Sequence, residues 1–294
     1  MAVRAYHDDG FLAGKPRRTL LLWHEIDNFA VAKPKVTFTM ETDFTFNAEQ
    51  LARYDRHIKL REFGLEGQRR LCMARVLVIG AGGLGSPILM YLAAAGVGTL
   101  GIADGDEVDY SNLQRQIVHD SANVGMPKVD SAEVRIKQIN PDVKVEKHAI
   151  FITPDNIGEL IAKYDFVIEA TDNFAVKYMV NDACVAAGKP FCLGGILRFE
   201  GQLMTYVPGS ACYRCIFPIP PDASQVPSCK VVGVLGVIPG ITGSLQAAEA
   251  IKWITGTGEL LTNRLLTFDI ASMQFHTVPF CRNEECAACS NHSS

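Results

Sequence analysis

The run Val76-Leu77-Val78-Ile79-Gly80-Ala81-Gly82-Gly83-Leu84-Gly85-Ser86-Pro87 constrains the fold more than any other part of this chain. Four successive apolar residues suit a strand buried on both faces. The glycines then suit a tight loop, with Ser86 expected as a helix N-cap and Pro87 at the first helical position. Such a unit aims backbone N–H groups and a helix N-terminus at a phosphate. A second apolar run, Leu100-Gly101-Ile102-Ala103, ends at Asp104, where an acidic side chain accepts ribose hydroxyls.

The periodicity predicts strands over 75–79, 99–103, 143–147, 165–170 and 190–193, and helices over 86–95, 128–139, 155–163 and 174–187. Strands alternating with helices predict a Rossmann-like α/β fold with a doubly wound, mainly parallel sheet. A helical pattern precedes it over 47–73. After Gly195 the pattern changes to a strand over 202–207, a proline-rich loop over 218–227, a helix over 240–255 and a hairpin over 265–270 and 273–280. That change predicts a mixed or antiparallel C-terminal extension. Residues 1–46 show no period and are expected to form a poorly ordered extension, with Met40 a candidate start. The remainder, 47–294, is expected to form one domain, with a nucleotide-binding half over 47–195 and a second part over 196–289 that holds both C-x-x-C pairs.

A net charge of −4 argues against a nucleic-acid partner, because such modules carry a basic face. No apolar run has the length of a membrane span. The nine cysteines include Cys212-Tyr213-Arg214-Cys215 and Cys286-Ala287-Ala288-Cys289. With no secretory signal in the sequence, a cytoplasmic location is expected, and metal binding or a reactive thiol rather than a disulfide framework. Four thiolates in two pairs suit tetrahedral Zn²⁺; redox pairs or plain buried cysteines are the other readings. Cys229, at the end of the proline-rich loop beside Lys230, is a candidate nucleophile or an incidental thiol. Cys72, Cys184 and Cys192 are expected in the core.

The segment between the second strand and the next helix carries the chemistry. Asp104-Gly105-Asp106 is followed by Ser111-Asn112-Leu113-Gln114-Arg115-Gln116 and by Pro127-Lys128. Arg115 and Lys128 are expected on loops beyond the strand ends, where such folds bind ligands; a solvated surface position is the alternative for each. Fixed cations there would stabilise charge on a leaving pyrophosphate. Asp172, in Thr171-Asp172-Asn173 after the fourth strand, suits either a Mg²⁺ ligand or a helix N-cap.

Taken in order, Arg53-Tyr54-Asp55-Arg56-His57, the glycine loop, Asp104-Gly105-Asp106, Ser111 to Gln116, Pro127-Lys128, Thr171-Asp172-Asn173, the two cysteine pairs and Gly243-Ser244-Leu245-Gln246-Ala247 resemble the MoeB/ThiF family, bacterial relatives of ubiquitin-activating enzymes. The resemblance implies an adenylyltransferase that uses ATP and Mg²⁺. Its substrate would be the C-terminal Gly-Gly of a ubiquitin-like sulfur-carrier protein of the molybdopterin-synthase or thiamin-thiazole type. It implies that Asp104 holds the ribose, that the Gly82-Gly83 backbone faces the nucleotide, and that Asn112, Arg115 and Lys128 hold phosphates. Asp106, Ser111 and Asn173 fall within the nucleotide-contacting motifs. Asp172 would bind Mg²⁺, and Arg56 would reach into the partner subunit's site, which implies a homodimer. Cys212, Cys215, Cys286 and Cys289 match the Zn²⁺ ligands, and Cys229 matches a cysteine that takes part in sulfur transfer in some members. No rhodanese-like stretch follows the second cysteine pair, so a separate sulfur-donor protein is expected. An NAD-dependent oxidoreductase and an inactive partner subunit of the same fold are the competing readings.

Overall fold

A computed structural model describes residues 44–221 and 229–290, without the side chains of 229 and 230. The extension over 1–43, the candidate start at Met40 and most of the proline-rich loop lie outside the described residues. The elements are, in order, α1 (Ala48–Arg53), α2 (Asp55–Ile58), α3 (Gly64–Met73), β1 (Arg75–Ile79), α4 (Gly85–Ala95), β2 (Thr99–Ala103), α5 (Lys128–Ile139), β3 (Lys144–His148), α6 (Pro154–Ala162), β4 (Phe166–Glu169), α7 (Phe174–Ala186), β5 (Phe191–Leu197), β6 (Glu200–Tyr206), α8 (Tyr213–Ile216), α9 (Cys229–Val232), α10 (Val237–Thr255), β7 (Arg264–Asp269) and β8 (Gln274–Pro279).

One eight-stranded sheet has the order β3-β2-β1-β4-β5-β6-β7-β8. The pairs from β3 to β5 are parallel, and those from β5 to β8 antiparallel. The expected α/β sheet with an antiparallel extension is therefore what forms. Residues 195 and 196 both lie in β5, so one continuous sheet joins the two expected halves. Strand order reverses at β1, between β2 and β4, and crevices beyond strand ends at such a switch point are where these sheets bind ligands.

Alternation along the strands divides the core. Val76 and Val78 pack with Ile88, Leu89, Leu92, Ile136 and Phe166 on one face. Leu77 and Ile79 pack with Ile157, Ile161, Tyr164, Val180 and Phe191 on the other. Each such side chain contributes about 1.5–3 kcal/mol on full burial. Gly80 turns the chain after β1 with φ +100°, and a Cβ on Gly85 would lie 2.0 Å from the Gly80 carbonyl oxygen. That contact lets α4 start directly against the strand end.

Local signals were partly misplaced. The expected 47–73 helix is three helices, because Lys59 to Phe63 turn the chain and Gly64 takes φ +60°. Ser86 is not an N-cap: α4 begins at Gly85, and the Ser86 hydroxyl donates to the Gly82 carbonyl one turn back at 2.7 Å. On α10, Ala248 is exposed while Gln246 and Glu249 are buried. Among the described residues no helix is long and apolar enough to cross a membrane.

Candidate functional site

The loops after β1, β2 and β4 converge at the carboxyl ends of the strands. Asp104 follows β2, and its Oδ2 accepts the Ala81 N–H at 2.8 Å while Oδ1 accepts the Asp106 N–H at 2.9 Å. Its carboxylate is thus fixed against the glycine loop with lone pairs left for a ligand, since a carboxylate accepts about four hydrogen bonds. Lys128 opens α5 rather than sitting in a loop, and it is buried, not solvated. Its Nζ donates to Asp106 Oδ2 at 2.9 Å and lies 4.0 Å from Asp104 Oδ1.

The turn over 109–116 is ordered by its own side chains. Asp109 Oδ1 accepts from the Ser111 N–H at 2.8 Å and the Ser111 hydroxyl at 2.5 Å. The bonds from Ser111 push the Asp109 carboxyl below its usual range. Arg115 Nη1 donates to the Ser111 carbonyl at 3.2 Å, and Asn112 is half-buried. His119, which the sequence did not single out, holds this turn to the glycine loop. Its ring nitrogens contact the Ala81 carbonyl at 2.9 Å and the Ser131 hydroxyl of α5 at 2.8 Å. A carbonyl only accepts, so Nε2 carries the proton and Nδ1 accepts from Ser131.

Beyond β4, the helix-cap reading of Asp172 is corrected. Asn173 caps α7, its Oδ1 accepting the N–H groups of Ala175 and Val176 at 2.9 and 3.3 Å. Asp172 is exposed and makes no hydrogen bond or ion pair among the described residues. An unpaired carboxylate at a strand end is a donor suited to Mg²⁺, which takes one or two carboxylates and completes its shell with water and phosphate oxygens. From Asp172 a groove of about 1290 Å³ runs over the ends of β5 to β7, past Tyr178, Gly195, Gln202, Arg214 and Phe268. Arg214 stacks on Tyr178 at 4.7 Å and grips Asp182 through two bonds of 2.7 Å.

Arg56 stands apart from these loops in its contacts: its side chain is 86% exposed, and its described partner is the neighbouring Asp55 at 2.9 Å. Cys229 opens α9, but its side chain lies outside the described residues. Cys184 and Cys192 are buried core thiols, as expected; Cys72, expected in the core, is half-buried at the end of α3 instead, and Cys281 is exposed.

The two cysteine pairs, 74 residues apart in sequence, meet. Cys212 Sγ lies 3.9 Å from Cys215 and 3.6 Å from Cys286, and Cys215 lies 3.5 Å from Cys289. All four sulfurs fall within 4.8 Å of one another. Tetrahedral Zn²⁺ with bonds of about 2.3 Å needs sulfurs about 3.8 Å apart, so the donor set fits. Burial pushes the Cys212 thiol up and the Cys289 thiol up to about 11. For Cys286 burial also raises the value, but the N–H groups of Cys289 and Ala288, together with the Cys212 and Cys289 thiols, outweigh it and the value falls. Four thiolates this close need a cation to coexist.

A family model described as the ThiF family matches residues 54–288. This chain belongs to the ThiF family. Within it, the chain is 48% identical over 245 residues to the SAMP-activating enzyme E1 of Haloferax volcanii, covering 83% of this chain and 91% of that one. It is 44% identical to the sulfur carrier protein adenylyltransferase of Thermus thermophilus, covering 82% and 91%. It is 48% identical to the adenylyltransferase and sulfurtransferase MOCS3-2 of Zea mays, covering 85% of this chain but only 52% of that longer protein. Among solved structures, Escherichia coli MccB with ATP superposes with a TM-score of 0.70 at 25% identity, covering 81% of this chain and 74% of MccB.

Proposed function

We propose that this chain adenylates the C-terminal glycine of a ubiquitin-like sulfur-carrier protein, using ATP and Mg²⁺ and releasing pyrophosphate. The observation that carries the reading is the unpaired Asp172 carboxylate, set where the strand-end loops meet the head of the groove. Naming of relatives as a sulfur carrier protein adenylyltransferase and a SAMP-activating enzyme supports the substrate class.

In this reading the ribose lies on Asp104 and Asp106, and the phosphates on the Gly82-Gly83 backbone, Ser111, Asn112, Arg115 and Lys128, with Asn173 beside them. Asp172 is the residue that would hold Mg²⁺, whose charge offsets that of the phosphates. The carrier's last residues lie in the groove with the glycine carboxylate toward Asp172. One carboxylate oxygen attacks the α-phosphorus, the bond from that phosphorus to the β-bridging oxygen breaks, and pyrophosphate leaves with the electron pair. No proton needs to be removed from a carboxylate nucleophile, so the step calls for charge neutralisation and alignment rather than a general base.

Arg56 completes the site of a second copy in a homodimer. An exposed apolar patch supports that assembly: Leu235 and Val237 lie beside Phe199 and the segment bearing Ile117, with the Leu235 N–H bonded to the Arg198 carbonyl and Gly236 packed on the Gln114 carbonyl. Cys212, Cys215, Cys286 and Cys289 would hold Zn²⁺ as a clamp between α8 and the residues after β8, stabilising the fold without touching the reacting atoms. Cys229 is assigned to later sulfur transfer with a separate donor protein. A cytoplasmic location is part of this proposal. NAD-dependent hydride transfer would use the glycine loop and Asp104 but leaves the exposed Asp172, Lys128 and the groove without a role, and an inactive partner subunit would need none of them. Incubation with ATP, Mg²⁺ and a carrier ending in Gly-Gly, followed by intact mass spectrometry under acid quench, should show the carrier with one added AMP. A carrier of unchanged mass, with purified zinc-loaded protein, contradicts the proposal.

A further inference from the structure

Directly beneath the turn bearing Asp172 lies a buried ion pair that the adenylation chemistry does not itself use. Glu169, the last residue of β4, has no exposed side-chain surface, and Lys177, on the first turns of α7, is 5% exposed. An ammonium has three N–H donors, and all three are engaged. Lys177 Nζ donates to Glu169 Oε2 at 2.5 Å, to the Thr171 carbonyl at 2.8 Å and to the Gly194 carbonyl of β5 at 2.5 Å. The other carboxylate oxygen, Glu169 Oε1, accepts the Thr171 N–H at 2.9 Å and the Thr171 hydroxyl at 2.5 Å. From the opposite face of the sheet, Gln246 Nε2 of α10 donates to the Glu169 carbonyl at 2.8 Å.

Six hydrogen bonds, the pair's own included, thus hold two residues that flank a turn whose exposed Asp172 has no partner among the described residues. The Thr171 backbone is held on both its N–H and its C=O, which fixes the plane of the peptide leading into Asp172. Burying an ion pair is costly unless its geometry is fully satisfied, and retaining one here makes sense if it sets conformation rather than stability.

We propose that Lys177, acting through Glu169 and Thr171, is a positioning residue that aims the Asp172 carboxylate for a nucleotide-bound divalent cation and ties the turn that bears it to β5 at Gly194, next to Gly195 of the groove. The inference rests on the function proposed above for Asp172. Residues that orient a metal-binding carboxylate typically change metal affinity about 10–100-fold when removed.

Binding of Mn²⁺ in the presence of a non-hydrolysable ATP analogue, followed by electron paramagnetic resonance, tests it without turnover. Lys177→Met should weaken Mn²⁺ binding about 10–100-fold, while metal-free nucleotide affinity and the KM for the carrier stay within about twofold of wild type. In an Asp172→Ala background the same substitution should have no further effect on Mn²⁺. Thr171→Val, which removes the hydroxyl's bond to Glu169 and its weaker bond from the Asn173 N–H at 3.3 Å, should weaken Mn²⁺ in the same direction and serves if Lys177→Met does not fold. Mn²⁺ affinity unchanged in a folded Lys177→Met protein, or in Thr171→Val where that is the folded variant, overturns the positioning role alone. A wild-type protein that takes up no Mn²⁺ with nucleotide overturns the underlying function.

Discussion

His119 donates through Nε2 to the carbonyl oxygen of Ala81, 2.9 Å away, and so ties the turn bearing Arg115 to the glycine loop. Burial lowers the imidazole pKa; the Ala81 bond opposes this, and the Lys128 charge adds to it. The folded protein therefore binds fewer protons at His119 than the unfolded chain, whose value is near 6.5. The contribution is complete above about pH 6.5 and is lost as pH falls through the lower folded value. His119→Ala should cost about 1–3 kcal/mol, the penalty for leaving the Ala81 carbonyl without its donor and the Ser131 O–H without its acceptor, and should raise the KM for ATP. Thermal melts from pH 5 to 8 should show the wild-type advantage over this variant shrinking toward the acid end. An imidazole resonance titrating at or above 6.5 would contradict the assignment.

Asp172→Asn should reduce adenylate formation by about 100-fold or more, the scale on which single electrostatic contributors to catalysis act. The side chain is exposed and unpaired among the described residues, so the melting temperature should stay within about 2 °C of wild type. Near-normal turnover in that variant removes Asp172 from the metal site.

Arg56→Ala and Lys128→Ala should each be inactive alone. Mixed under conditions of subunit exchange, they should regain activity, because a mixed dimer holds one site with both residues intact. Proven exchange without recovery would place Arg56 outside the partner's site.

Purified protein should hold one zinc per chain. Cys289→Ser should lower zinc content and the melting temperature together, because a structural metal contributes directly to folding free energy. Unchanged zinc content would rule out the four-sulfur site.

Glu146 accepts from Lys144 at 2.8 Å, from Tyr164 at 3.0 Å and from Arg75 at 2.7 Å. The Lys144 bond, with help from Tyr164 and Arg75 and against partial burial, lowers the carboxyl to about 2. A depressed folded value means stability present above the unfolded value, near 4.5, and lost as pH falls toward 2. Glu146→Gln should destabilise by about 1 kcal/mol at neutral pH, discounted for solvent screening, and the difference should fade in denaturant titrations between about pH 4.5 and 2. A constant difference across that window would show that the charge is not what matters.

The glycine loop, Asp104, Lys128 and the cysteine pairs were legible because each is carried by local spacing: a strand end, a tight turn, a C-x-x-C. The strand and helix pattern followed from apolar periodicity, and the antiparallel extension from the change after Gly195. What was not legible depends on contacts distant in sequence. His119 gains its place from Ala81, 38 residues away, and Lys177 from Gly194, 17 residues away. A lysine four residues after an N-cap reads as a solvated helix charge until the strand it buries against is known. The choice between Asp172 and Asn173 as cap was equally invisible, since both types cap well and only backbone geometry decides. Ser86 misled for the same reason, its hydroxyl finding the Gly82 carbonyl rather than a free N–H.

The central claim is adenylation of a carrier's C-terminal glycine, and exchange of radiolabelled pyrophosphate into ATP tests it most directly. The account predicts exchange that requires Mg²⁺ and an intact Gly-Gly end on a small ubiquitin-like carrier, and that disappears when the last glycine is removed. Exchange absent with every such carrier, in folded zinc-loaded protein, or exchange indifferent to the Gly-Gly end, would contradict it.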